Sequence, residues 1–390
     1  MAASEQLGIL GVHSFHYFVH DAERSRVFYE DNFGWHPAYT SSADSVARTG
    51  QTSTVYQAGD IRVAVSTADV AEGALQPRAA RWLSRHPDGI GNISYVVQDI
   101  DRAWAFLTSR DATPIHTISD IRVGSGTQQG RFRHFSITTA LGDVTFRFVQ
   151  IDDWDGFAPG YEALPPPTGI VNPMGFTKVD HITCNAQTMA GYKLWLEHVM
   201  GMEQCWEIEF HTDDVKKGAD VGTGLRSVVM WDPRSGLKYP INEPLQPFFK
   251  EGQINKFIED NHGAGVQHVA LEVKDILAAV SALRDRGVGF LKTPGNYYDS
   301  APDRLRAGGV EPNRIFHKMD DLRDLGILID GSPVDNYLVQ IFLNDAMTLY
   351  HEQQAGPFFY ELIERRGDQG FGGGNFRALF EAIEREQLES

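Results

Sequence analysis

An α+β protein of two domains, each built from a pair of similar strand–helix–strand units, is the fold this chain predicts. Three observations predict it. The 390 residues are too many for one ordinary hydrophobic core. Two pairs of segments repeat at nearly fixed offsets, and a proline-rich stretch separates the repeats.

The first unit opens with "GVHSFHYFVHDAERSRVFYEDNFGW" (11–35), which reads as strand, short connection, helix and glycine turn. Its counterpart is "KVDHITCNAQTMAGYKLWLEHVMGM" (178–202), with Gly34 and Gly201 fixing the offset at 201 − 34 = 167. "DGIGNISYVVQDIDRAWAFL" (88–107) and "GAGVQHVALEVKDILAAVSAL" (263–283) form the second pair, with Ile100 and Ile276 giving 276 − 100 = 176. In both, a strand leads through an acidic N-cap, Asp99 or Asp275, into an amphipathic helix. Ile276, Val280 and Leu283 recur at helical spacing, and Gly287 suits the stop. Between the halves lies "ALPPPTG" (163–169), whose prolines cannot continue a helix or an interior strand. The expected domains are therefore 1–165 and 166–390.

Composition excludes several function classes. A formal charge of −17 lacks the basic footprint of a nucleic-acid binder. Hydrophobic residues at 42% are ordinary for a globular chain, and no stretch approaches the roughly 20 apolar residues of a membrane span. Cys184 and Cys205 are too few for a disulfide framework, and "MAASEQLGILGV" has no signal-peptide pattern. A cytoplasmic protein with neither nucleic-acid nor membrane partners is expected.

The chemistry points to the second half. "GVQHVALEV" (265–273) carries Gln267 and His268 in an otherwise apolar strand, where an unpaired polar group costs a few kcal/mol. His181 sits in the matching strand of the other unit. The offsets place Ser14 and Asn92 at the corresponding positions of the first half, so the histidine pair belongs to the second half alone. Two imidazoles and a carboxylate leave coordination positions open, which suits non-haem Fe(II) and dioxygen. "PFFYELIERRG" (357–367) offers Glu361, set among apolar residues, and Glu364, which beside Arg365 and Arg366 is expected to face solvent. Asp335, Asp345 and Glu352 read as solvated loop charges. Glu361 is the expected third ligand.

The stretches "VDHITCN", "GLRSVVM", "YPINEP", "GAGVQHVAL", "LVQIF", "FFYELIERRG" and "GFGGGNFRALFEAIEREQ" resemble, in order, those of the 4-hydroxyphenylpyruvate dioxygenase family of the vicinal-oxygen-chelate superfamily. The likeness covers residues 175–390 by motif and the first half by general plan. It implies tandem βαβββ-type modules, each domain an open β-barrel with flanking helices, plus a C-terminal helix. It implies His181, His268 and Glu361 as ligands of one Fe(II) per chain. It makes Gln267, Gln253 and Gln340 a substrate-pocket and ligand-support network, shapes the pocket with Ser227, Pro240 and Asn242, and lines it with Phe342, Phe359, Phe371 and Phe376. "GFGGGNF" follows no dinucleotide-type strand, so it reads as a turn into the last helix with Asn375 as cap and pocket residue. That helix, with Phe380 and Ile383 on one face, is expected to act as a movable lid.

The implied reaction takes 4-hydroxyphenylpyruvate and dioxygen to homogentisate and carbon dioxide, with ring hydroxylation and side-chain migration. The expected assembly is a homo-oligomer, dimer or tetramer. Arg226, where the family has a small amide, has a carboxylate contact or solvent open to it. The segment 299–318 departs from the family and reads as a surface loop. Three competitors remain, of which an extradiol ring-cleaving dioxygenase shares the ligand set but lacks this glutamine pattern and the C-terminal helix. A 4-hydroxymandelate synthase shares substrate and iron, but tends to an aliphatic residue in place of Phe376 and lacks "PINEP". A ligand-sequestering module would need no facial triad.

Overall fold

Four strand–helix–strand–strand–strand units make up the computed structural model, which describes residues 3–68, 77–125, 128–169, 171–214, 224–246, 252–332, 336–370 and 372–375. The first unit holds β1 (Ile9–Phe18), β2 (His36–Ser41), β3 (Gln51–Ala58) and β4 (Ile61–Ala68). The second holds β5 (Gly89–Val97), β6 (Pro114–Ser125), β7 (Gln128–Thr138) and β8 (Thr145–Asp152), followed by the short β9 (Tyr161–Ala163). The third holds β10 (Phe176–Asn185), β11 (Glu203–His211), β12 (Gly224–Trp231) and β13 (Lys238–Pro244). The fourth holds β14 (Gly265–Val273), β15 (Leu328–Ser332), β16 (Asn336–Phe342) and β17 (Phe359–Arg366).

Each half is one curled sheet. The first runs β6-β7-β8-β5-β1-β4-β3-β2-β9 and the second β11-β12-β13-β10-β14-β17-β16-β15. Read in one direction and without β9, the two orders are the same. β9 pairs with β2 through Tyr39 and Ala163, immediately before the expected boundary at 165.

The repeat extends to local geometry. The helix that follows the first strand of each half passes into a π-helical turn, Val27–Asn32 and Leu196–Met200. A glycine in the left-handed region follows each, Gly34 at φ 67° and Gly201 at φ 70°. Asp99 and Asp275 accept from the backbone N–H groups of Arg102 and Ala278, capping Ile100–Thr108 and Ile276–Asp285 as expected. Apolar packing is continuous across the halves: Phe33 stacks on Phe176 at 5.4 Å, and the Tyr29 and Tyr360 hydroxyls meet at 2.7 Å.

Residues 299–318 correct the expectation of a surface loop. The first of them belong to a helix, Gly295–Ala307, that buries Tyr297, Tyr298, Ala301 and Leu305. That spacing was obscured by Pro302, which the helix accommodates. Only the stretch beyond Ala307 is irregular, with one 3₁₀ turn at Pro312–Arg314. Among the described residues no helix is long and apolar enough to cross a membrane.

A candidate metal centre

Ala270, at the middle of β14, has His181 of β10 as its partner on one side and Glu361 of β17 on the other. His268 lies two residues earlier on the same strand. Three adjacent strands thus deliver three side chains to one point of the barrel interior. The ligand atoms of His181, His268 and Glu361 all lie within 4.8 Å of one another, and all three residues are buried.

The strands are not regular there. Between Val179 and His181, β10 has one residue more than its partner, so Asp180 is an extra residue. Between Val266 and His268, β14 has one more than β10, so Gln267 is another. Regular strands alternate faces, which would send the neighbour of an inward histidine outward. A β-bulge suspends that rule and can re-aim a side chain beside a site. Here each bulged residue turns toward its histidine. Asp180 Oδ1 lies 2.8 Å from His181 Nδ1, and Gln267 Oε1 lies 3.1 Å from His268 Nδ1. The polar pair Gln267–His268 therefore supplies its own hydrogen bond.

Those contacts decide what the site can hold. An ionised carboxylate only accepts, so Asp180 requires a proton on His181 Nδ1, and the Gln267 carbonyl does the same for His268. Both Nε2 lone pairs then face Glu361 Oε2, at 3.1 and 3.2 Å. Three acceptors converging on one point call for a cation. Glu361 Oε1 is buried and has no hydrogen-bond partner, which leaves a further lone-pair donor. The residues fit a divalent metal of the kind that two imidazoles and one carboxylate bind.

Charge reaches deeper into the wall. Burial works against the Asp180 charge, yet hydrogen bonds from Arg365 and His181 hold its carboxyl far below the usual range. Arg365 grips Asp180 with Nε at 2.5 Å and Nη2 at 2.7 Å. The same guanidinium donates to the carbonyls of Asp368 and Gly370, where the C-terminal segment begins. Burial would lower His181, but the Glu361 and Asp180 carboxylates push it up. His268 is lowered by burial, which outweighs Glu361. Burial would raise Glu361, and the charge of His181 brings it below the ordinary value.

The triad lines one cavity, and His268 alone of the three also borders a second. The smaller, of about 30 Å³, is lined by the triad with Trp206, Ser227, Pro240, Asn242, Gln340 and Phe342. The larger, of about 450 Å³, includes Gln253, Gln267, His268, Asn242, Phe342 and Phe359 in its wall. That volume is in the range of small-molecule sites. Phe359 stacks on His268 at 4.9 Å. Phe371, Phe376 and the expected lid helix with Phe380 and Ile383 lie outside the described residues, as does Asp335.

Three expectations need correction or completion. Glu364 does not face solvent: it is 3% exposed, accepts from the Ile276 N–H at 2.9 Å and lies 3.4 Å from His317 Nε2. Three residues along a strand reverse the face, so Glu361 points into the barrel and Glu364 under the Ile276–Asp285 helix. Asn375 is not an N-cap, because residues 373–375 are already helical and Asp330 Oδ2 accepts from the Gly374 N–H at 2.8 Å. Its Oδ1 instead accepts from the Tyr297 hydroxyl. Arg226 pairs with Glu207 across the outer face of β12, away from the pocket. Asp180, Arg365 and Trp206 escaped the sequence reading. The signal for Asp180 was present, a polar pair in "VDHITCN" like the pair Gln267–His268.

Comparison with known proteins places this arrangement. The model of the glyoxalase/bleomycin resistance protein/dioxygenase superfamily matches residues 11–138 and 178–302. A 4-hydroxyphenylpyruvate dioxygenase of Dictyostelium discoideum is 31% identical over 382 residues, 95% of this chain and 96% of the relative. One of Caenorhabditis elegans is 30% identical over 386 residues, covering 96% and 91%. Among solved structures, a triply substituted 4-hydroxymandelate synthase from Streptomyces coelicolor superposes with a TM-score of 0.76 at 25% identity, over 97% of this chain and 99% of that one.

Proposed function

We infer the function from one premise: the chain belongs to the 4-hydroxyphenylpyruvate dioxygenase family, within the glyoxalase/bleomycin resistance protein/dioxygenase superfamily. It is a dioxygenase that converts 4-hydroxyphenylpyruvate and dioxygen to homogentisate and carbon dioxide, a step of tyrosine and phenylalanine catabolism. The observation that carries this reading is the convergence of three acceptors, His181 Nε2, His268 Nε2 and Glu361 Oε2, beside a cavity large enough for the substrate.

His181, His268 and Glu361 would hold one Fe(II) per chain, which would supply the redox chemistry that activates dioxygen. The chain's own residues do the rest. Asp180 and Gln267 hold protons on Nδ1 and so aim both Nε2 atoms inward. Gln253, Gln267, Gln340, Asn242 and Ser227 are the polar anchors for the acid and the phenol. Pro240, Phe342 and Phe359 form the wall that confines the ring and keeps water away. We assign Phe371, Asn375 and Phe376 to the same wall from the family motif. Cytoplasmic residence fits the two unpaired thiols, Cys184 and Cys205.

The test is direct. Ferrous protein incubated with 4-hydroxyphenylpyruvate in air should consume oxygen and release homogentisate. Release of 4-hydroxymandelate instead would transfer the chain to the synthase reading suggested by its structural neighbour. Binding of the acid without iron-dependent oxygen uptake would mark it as a sequestering module.

A further inference from the structure

The first barrel has an interior of its own. The pairings that define the metal centre recur there: Ser94 of β5 pairs with Ser14 of β1 on one side and Arg147 of β8 on the other. Ser94, Ser14 and Arg147 thus correspond to Ala270, His181 and Glu361. The bulges recur as well, with His13 the extra residue of β1 and Gly91 that of β5. The carboxylate of one barrel is matched by a guanidinium in the other.

Arg147 keeps part of its surface exposed, and it lines a cavity of about 20 Å³ with His13, Ser14, His16, Ser94 and Tyr161. Its recorded hydrogen bond runs from Nε to Ser136 Oγ at 3.4 Å, and no carboxylate among the described residues pairs with it. Guanidinium groups stay charged in proteins, and one that faces a barrel interior with no carboxylate beside it favours an anion there. His13 and His16 do not offset that charge. Burial, reinforced by neighbouring arginines, pushes each down to about 3, so both are neutral at pH 7. His13 Nδ1 lies 3.0 Å from the Ser14 hydroxyl, while its buried Nε2 has no hydrogen-bond partner. With Ser14 donating to Nδ1, Nε2 carries a proton and gives the cavity a second donor.

We propose that the first barrel holds a small monovalent anion of halide size between the Arg147 guanidinium and the Nε2–H of His13, where the second barrel gathers its metal ligands. The cavity admits one water-sized occupant, which excludes phosphate and larger carboxylates. The anion neutralises Arg147 and satisfies His13 in one step. The proposal is independent of the reaction in the second barrel.

Crystals of the iron-loaded full chain grown with bromide in place of chloride, at physiological halide concentration, test this at the bromine absorption edge. An anomalous peak between Arg147 and His13 is expected, absent in Arg147→Met. In solution the melting midpoint of the wild type should rise when halide replaces acetate at equal ionic strength, and that shift should be lost in the variant. An empty or water-filled cavity in the wild-type bromide crystals would overturn the proposal even if Arg147→Met fails to fold. So would equal halide responses of wild type and variant.

Discussion

Where β17 of the second barrel presents Glu361 to the interior, β8 of the first presents Arg147. Strand order, both bulges and both π-helical turns are shared, so the backbones offer the same interior position twice. Three side chains separate the two outcomes: His181, His268 and Glu361 against Ser14, Asn92 and Arg147. One set converges lone pairs and suits a cation; the other presents donors and positive charge. The comparison teaches that this scaffold specifies where a charge will sit, while the residues alone choose its sign.

The largest test removes a ligand from one barrel and its counterpart from the other. His268→Ala should abolish turnover and weaken iron binding, as read by metal analysis and oxygen uptake. Asn92→Ala should leave both intact, costing about 1–3 kcal/mol of stability through lost bonds to Thr145. Iron retained on residues of the first half in the His268→Ala protein would break the comparison.

Next comes the support behind the ligand. Asp180→Asn should lower activity or metal affinity about 10–100-fold, because the amide no longer enforces a proton on His181 Nδ1. Titration with ferrous iron, read beside kcat and KM, separates this from a folding defect. Wild-type affinity in the variant would show that the His181 tautomer is set elsewhere.

Glu364→Gln should leave activity per folded molecule unchanged and destabilise by about 1–3 kcal/mol. Burial opposes the Glu364 charge, but the His317 hydrogen bond outweighs it and holds the carboxyl below its ordinary value. A depressed carboxylate adds stability above its unfolded pKa and loses it as pH falls through the folded value. The variant should therefore lose less stability than wild type under acid, a contrast that urea unfolding at several pH values will read.

The last test, which leaves activity untouched, belongs to the first barrel. His16, lowered from 6.5 to about 3, is neutral when folded and takes a proton when unfolded, so stability falls as pH drops from 6.5 toward 3. His16→Gln should reduce that slope by about 1.4 kcal/mol per pH unit. An unchanged slope in denaturant titrations between pH 6 and 4 would mean that the imidazole is already charged in the folded barrel.

Much of this was legible in the residues. Offsets of 167 and 176 predicted the repeated units, and the histidines absent from one half pointed to the other. Pattern reading fails where neighbours in sequence are separated in space. Glu364, Arg365 and Arg366 look like one solvated cluster, yet a strand sends Arg365 to one face and the ion pair of Glu364 and Arg366 to the other. Glu364 lies under a helix, Arg365 grips Asp180, and only Arg366 is largely exposed. Arg147 stood in "TFRFVQ" as a basic residue in an apolar strand, with nothing nearby in sequence to mark that it lines a cavity. The bulges were invisible because an extra residue is defined only against its partner strand.

Those bulges also set how the chain tolerates changes in length. An inserted residue reverses inside and outside for everything on one side of it. Removing Gln267 would therefore do more than delete a side chain. One flank of β14 would have to turn its apolar residues outward, or the whole strand would have to slip against both neighbours and carry His268 out of line with His181 and Glu361. A substitution at 267 touches one hydrogen bond, whereas a deletion there rewrites the parity of a strand that carries one ligand and lies between the strands of the other two.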